Sequence, residues 1–223
     1  MFPLPPALHH QCQATVRELL SGAQDVVDSA DVLAIGAWFG TLSAPTPGFL
    51  PVQRRHLLML LLTLRHVAPA WEGRVAHDAD VPSSIQLLQL LTTHVIRPLP
   101  HEATAAAIDA AYAWAERQEQ RAAPDIRSTT SFPVSLYTAT KAVDGCLHAE
   151  QIAGYRAEVH AGVAIGLAAT AFADGWQGRA AQARQRAFWI AWLTHIIPVA
   201  WYPLADDELD GLPISEPTPN TPI

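Results

Sequence analysis

Lysine occurs once in this chain, at Lys141, and cysteine only twice, at Cys12 and Cys146. Glycine is modest, with 12 residues, and β-branched runs are scarce. Each shortage excludes something. Two isolated thiols cannot form a disulfide framework, and they fit a reducing compartment. Neither has a Cys-x-x-Cys partner, and no Gly-x-Ser-x-Gly is present, so thiol or serine nucleophiles have no local signature. No glycine-rich loop joins a strand to a helix, so there is no phosphate cradle.

Charge is also sparse, at 16% of residues, and the formal net charge is −7. Five of the acidic residues, Asp206, Asp207, Glu208, Asp210 and Glu216, lie in residues 204–223, which hold no basic residue, so the rest of the chain carries about −2. Without a basic field for phosphate backbones, direct nucleic-acid binding is not expected. The opening Met1-Phe2-Pro3-Leu4-Pro5-Pro6 lacks the positive start and apolar centre of a signal peptide, so a cytoplasmic location is expected. The apolar stretches 161–173 and 187–202 are shorter than the ~20 residues of a bilayer span. They read as core helices, and no membrane partner is expected.

What the chain does have is apolar material: half its residues are hydrophobic, and alanine is abundant. That mix favours helices and a full core. Proline supplies the punctuation. The pattern predicts helices from Pro6 to about Leu20, from about Ala23 to Phe39, and from Pro51 to near Glu72. Further helices are expected from Pro82 through Val95, over residues 101–121, from Pro133 through Leu147, and from about Glu150 to Ala173. A last one should end near Pro198. The run Leu57 to Leu62, apolar on all sides, should be a central buried helix. Gly154, Ala157, Ala161, Ala164, Ala168 and Ala171 form a small-residue face suited to close helix packing. The expected fold is therefore all-α: a single domain of seven to eight helices over residues 1–203. Residues 204–223, acidic and proline-rich, are expected to be a disordered tail.

Ten histidines raise the question of a metal, but their spacings are poor for one. A bundle usually builds such a site from pairs three or four residues apart. Here His56 and His66 are ten apart, and His148 and His160 are twelve apart. A site assembled across helices from His56, His148 and His160 is the alternative. It would make the chain a metal-dependent hydrolase or transferase. No cofactor is expected otherwise.

Seven tryptophans stand at 38, 71, 114, 176, 189, 192 and 201. Trp189 and Trp192 share a helix face, as do Phe188 and Trp192, which suggests core. Trp176, Trp201 and Tyr202 are candidate surface anchors for a partner, since Trp, Tyr and Arg dominate binding hot spots.

The segment Leu64-Arg65-His66-Val67-Ala68-Pro69-Ala70-Trp71-Glu72 leads into an acidic turn, Val81-Pro82 and a further helix. The chain closes on Arg186-Ala187-Phe188-Trp189-Ile190-Ala191-Trp192-Leu193 and Ile197-Pro198-Val199-Ala200-Trp201. Over about residues 55–202 this arrangement resembles a family of all-α immunity proteins of bacterial polymorphic-toxin systems, the fifth by its usual count. Where the family's opening has Asp-x-Pro, the residue before Pro82 is Val81 and the Asp sits at position 80. The resemblance implies a non-catalytic protein that binds and neutralises a cognate toxin domain. Asp78 and Asp80, with the acidic tail, would face a basic partner. An oligomerising module is the third reading.

Overall fold

The computed structural model describes residues 4–24, 26–40, 51–73, 83–96, 101–121, 127–147, 157–174 and 178–201. Among these residues the chain forms eight helical rods and no strand. They are α1 (Pro6–Ser21), α2 (Ser29–Gly40), α3 (Pro51–Glu72), α4 (Ser84–Ile96), α5 (His101–Arg121), α6 (Arg127–Leu147) and α7 (Ala157–Ala173). The eighth rod consists of α8 (Arg179–Ala191), a π turn (Trp192–Ile196) and α9 (Ile197–Trp201). The tail expected at residues 204–223 lies outside the described residues.

Helix ends follow local chemistry. Pro6 starts α1, where its missing N–H costs nothing. Gly22 stops it at φ 74° while the Ala23 N–H returns to the Glu18 carbonyl at 3.1 Å. That left-handed residue favours glycine. The described residues between Gly22 and Ser29 are irregular, so α2 begins six residues later than the apolar pattern predicts. The reason is a cap: the Asp28 carboxylate accepts the Asp31 N–H at 2.8 Å. Ser83 caps α4 reciprocally. Its hydroxyl accepts the Gln86 N–H at 3.2 Å, and the Gln86 amide oxygen accepts the Ser83 N–H at 3.0 Å. Glu72, at the end of α3, adds a buried carboxylate to the same helix start, accepting the Ser84 hydroxyl at 2.6 Å.

Two prolines that read as boundaries lie inside helices. Pro133 is six residues into α6 rather than at its start. Pro198 does not end the last rod, which continues to Trp201. The π turn sits immediately before it, and the Ile197 N–H bonds back five residues to the Trp192 carbonyl. Proline in a regular α-helix clashes with the carbonyl four residues earlier. Widening the preceding turn relieves that contact and lets the helix resume.

α3 is the axis of the core. Leu57 through Leu62, Leu64, Val67, Ala68 and Trp71 are all buried, and α2, α4, α6, α7, the π turn and α9 pack around them. Of the small face expected on α7, Ala164, Ala168 and Ala171 have no exposed surface, while Gly154 and the side chains of Ala157 and Ala161 lie outside the described residues. That face lets α6 approach closely enough for the Ser135 hydroxyl to donate to the Ala164 carbonyl at 2.6 Å. Arg184 of α8 donates to the Ala173 carbonyl at 2.7 Å, placing a cation at the C-terminus of α7. Two aromatic clusters flank α3. Trp71 stacks on Phe132 at 5.0 Å and meets Trp114 edge-on. On the other side His66, Phe172, Phe188, Trp189 and Trp192 form a chain of ring contacts between 4.9 and 5.8 Å. The tryptophans of the last helix are core, as their spacing suggests.

Candidate functional site

The widened turn also shapes the surface. Between α1 and the last rod lies an open groove of about 530 Å³, lined by Leu4, His9, Cys12, Gln13, Val16, Arg17, Leu193, Thr194 and Pro198. Its two walls follow from the sequence. On α1, Leu8, Cys12, Thr15 and Leu19 recur at three and four residues and face the core. The adjoining stripe of His9, Gln13, Val16 and Arg17 is left to form the groove wall. Opposite, Pro198 and the π turn set Leu193 and Thr194 against it. The Thr194 hydroxyl returns to the Ile190 carbonyl at 2.7 Å, leaving its methyl side for contact.

The groove is apolar at its base and polar at its rim. His9 and Gln13 side chains meet at 3.1 Å on the exposed side. Among the described lining residues, Arg17 is the one permanent charge, and none is acidic. Cys12 is buried at the base, and burial pushes its thiol up to about 11. It therefore stays protonated and is a poor nucleophile near neutrality. Leu20, one turn beyond Val16, is 66% exposed and extends the apolar stripe past the groove.

The candidate residues read from the sequence do not converge. Asp78, Asp80, Trp176 and Tyr202 lie outside the described residues. Trp201, expected on the surface as an anchor, is buried at 7% exposure. The π turn rotates it back against α3, where the Arg55 guanidinium covers its ring at 5.1 Å from the centroid. As an exposed anchor it is corrected to a core residue. His56 is buried and donates through Nε2 to the Gly36 carbonyl at 2.8 Å, tying α3 to α2. His148 and the His160 side chain are outside the described set. Among the described residues, no three His, Cys, Asp or Glu side chains are grouped to hold a metal ion.

Two other histidines have perturbed chemistry. His66 is pushed below its ordinary value of 6.5 by burial, and further by the nearby His195. It stacks on Phe172 at 5.5 Å. His94 is lowered by burial, and its Nδ1 lies 2.9 Å from the Thr104 hydroxyl, linking α4 to α5. Both serve packing.

Sequence reasoning missed the groove because its signal is split. One wall lies in the first 50 residues, outside the family-like pattern, and the other depends on a π turn. The stripe at 9, 13, 16, 17 and 20 was the available clue. No family model, curated protein or solved structure matches the chain. Among the described residues, no helix is long and apolar enough to cross a membrane.

Proposed function

We propose that this chain is a non-enzymatic partner-binding protein, and within that class an immunity protein that neutralises a cognate bacterial toxin domain in the cytoplasm. The observation that carries the binding reading is the groove between α1 and the π turn, continued by the exposed Leu20. Leu4, Val16, Leu193 and Pro198 give it an apolar floor suited to a helix edge or extended segment of another protein. Rigid, preformed surfaces of this kind lose little ordering entropy on association.

The immunity assignment rests on the sequence pattern over residues 55–202. The occupant we assign is a toxin domain that sets an apolar ridge into the groove and carries basic residues beside it. Those residues would meet the acidic surplus of this chain, including Asp78 and Asp80. Charge complementarity of that kind raises the association rate more than it tightens the complex.

The test uses a toxin domain encoded beside this chain, titrated by calorimetry against the wild type and against Leu20→Glu and Gln13→Arg. Both positions are exposed, so melting temperatures should hold. Each variant is expected to weaken binding about tenfold or more, which corresponds to about 1.4 kcal/mol. Unchanged affinity in both variants would remove the groove from the interface. No binding by the wild type would reject the immunity assignment.

A further inference from the structure

We propose that residues 204–216 of this same chain occupy the groove in the free protein, as an intrasteric segment that a partner must displace. The inference concerns the regulation of the site just assigned and rests on that reading for its biological meaning.

Three observations point to this occupant. The first is reach. α9 ends at Trp201, three residues past Pro198, which lines the groove. The opposite wall from Leu4 to Arg17 spans roughly 20 Å at about 1.5 Å per residue. Nine further residues, 202–210, extend to about 30 Å, enough to turn and lie along that wall.

The second is charge. The described lining residues include Arg17 and His9 and no carboxylate, whereas residues 204–216 carry Asp206, Asp207, Glu208, Asp210 and Glu216 with no basic residue. An acidic segment tethered beside a wall whose one fixed charge is positive is attracted to it. The third is apolar match. Leu204, Leu209, Leu212 and Ile214 interleave with those acids and supply side chains for the floor formed by Leu4, Val16, Leu193 and Pro198.

Tethering makes even a weak contact count. A short tether gives an effective concentration on the order of millimolar, so a segment with a dissociation constant of about 1 mM would fill the groove roughly half the time. The device also has a release built in. A basic toxin domain draws off the acidic segment while its apolar ridge takes the vacated floor, so one partner would open and fill the site together.

The experiment uses the full chain with a nitroxide on Leu209→Cys in a Cys146→Ala background, read by amide relaxation in NMR. Cys12, buried and protonated, stays unlabelled. Expected is several-fold stronger broadening at Gln13, Val16, Arg17 and Thr194 than at the exposed Glu119 of α5. Arg17→Glu should abolish that selectivity, and adding Asp206→Lys with Asp207→Lys should restore it. Equal broadening at Gln13 and Glu119, or selectivity indifferent to Arg17→Glu, overturns the proposal. No partner is present in this measurement. Its failure is therefore separate from the failure of toxin binding, which the calorimetric titration alone decides.

Discussion

Trp189→Phe and Trp192→Phe remove the same atoms from two rings three residues apart, yet they should not cost the same. Both rings are buried, at 2% and 0% exposure, and they touch each other edge-on at 5.6 Å. Shrinking either ring forfeits similar apolar contact, about 2 kcal/mol as a fraction of the 3–5 kcal/mol for complete truncation. The indole nitrogens differ. Trp192 Nε1 donates to the Thr63 hydroxyl at 3.1 Å, and that hydroxyl in turn donates to the Met59 carbonyl at 2.6 Å. Trp189 Nε1 is fully enclosed and has no acceptor.

Losing the made bond adds about 1 kcal/mol to the Trp192 change, while losing the orphaned donor removes a desolvation cost of about 1–3 kcal/mol from the Trp189 change. Trp192→Phe should therefore be the more destabilising by about 2–4 kcal/mol. In a chain of this length that separates the two melting temperatures by roughly 4–16 °C. Urea unfolding followed by far-UV circular dichroism gives the two midpoints directly. A cycle with Thr63→Val should show coupling with position 192 of about 1 kcal/mol and none with position 189. Equal costs for the two tryptophans, or a costlier Trp189→Phe, would refute the reasoning.

Other expectations follow from the same contacts. His66 and His94 have folded values held below the ordinary 6.5, so their neutral forms contribute stability that is complete above about pH 6.5 and falls away as the pH drops towards their folded values. Melting curves across that interval should show a smaller acid loss in His66→Phe than in the wild type. Cys12 should resist alkylation in the native state and react at the rate of unfolding, so rapid labelling near neutrality would contradict its burial. Ser135→Leu should cost more than Ser135→Ala, by about 1–3 kcal/mol, because added volume forces α6 away from α7. Glu72→Ala strips a buried acceptor from the start of α4 and should cost about 1–3 kcal/mol, measured by denaturant midpoint.

Much of the fold was legible because its punctuation is chemical and local. Pro6 and Gly22 frame α1, His101 to Arg121 reads as one helix, and the all-apolar run from Leu57 declares a central one. Three features escaped the reading for identifiable reasons. Apolar spacing continued backwards past Asp28, while the Asp28 cap fixed where α2 begins. Pro133 resembles a first-turn proline, yet α6 tolerates it inside. The run from Trp189 to Trp201 carries no mark of a π turn except Pro198 itself. The groove inherits that difficulty, since half of it exists only once the turn is widened. Trp201 was misplaced because its residue type suits a binding anchor and the helix was expected to end near Pro198, whereas the rod continues and encloses it.

Angular arithmetic makes the point. At about 100° per residue, a regular helix would set Trp201, nine residues after Trp192, on the opposite side of the rod. Ile197, Ala200 and Trp201 are nonetheless enclosed together with Trp192. The extra residue taken up by the turn supplies about 100° of that rotation and brings Trp201 to within about 80° of Trp192. The chain between Trp192 and Ile196 is therefore counted as well as composed. Deleting a single residue there would return the rod to a regular α-helix with Trp201 eight residues after Trp192 and about 80° away, so its indole should keep its place under Arg55. Winding all the present residues as a regular α-helix would instead carry Trp201 half a turn round the rod, swing its indole into water and strand Arg55 without its ring.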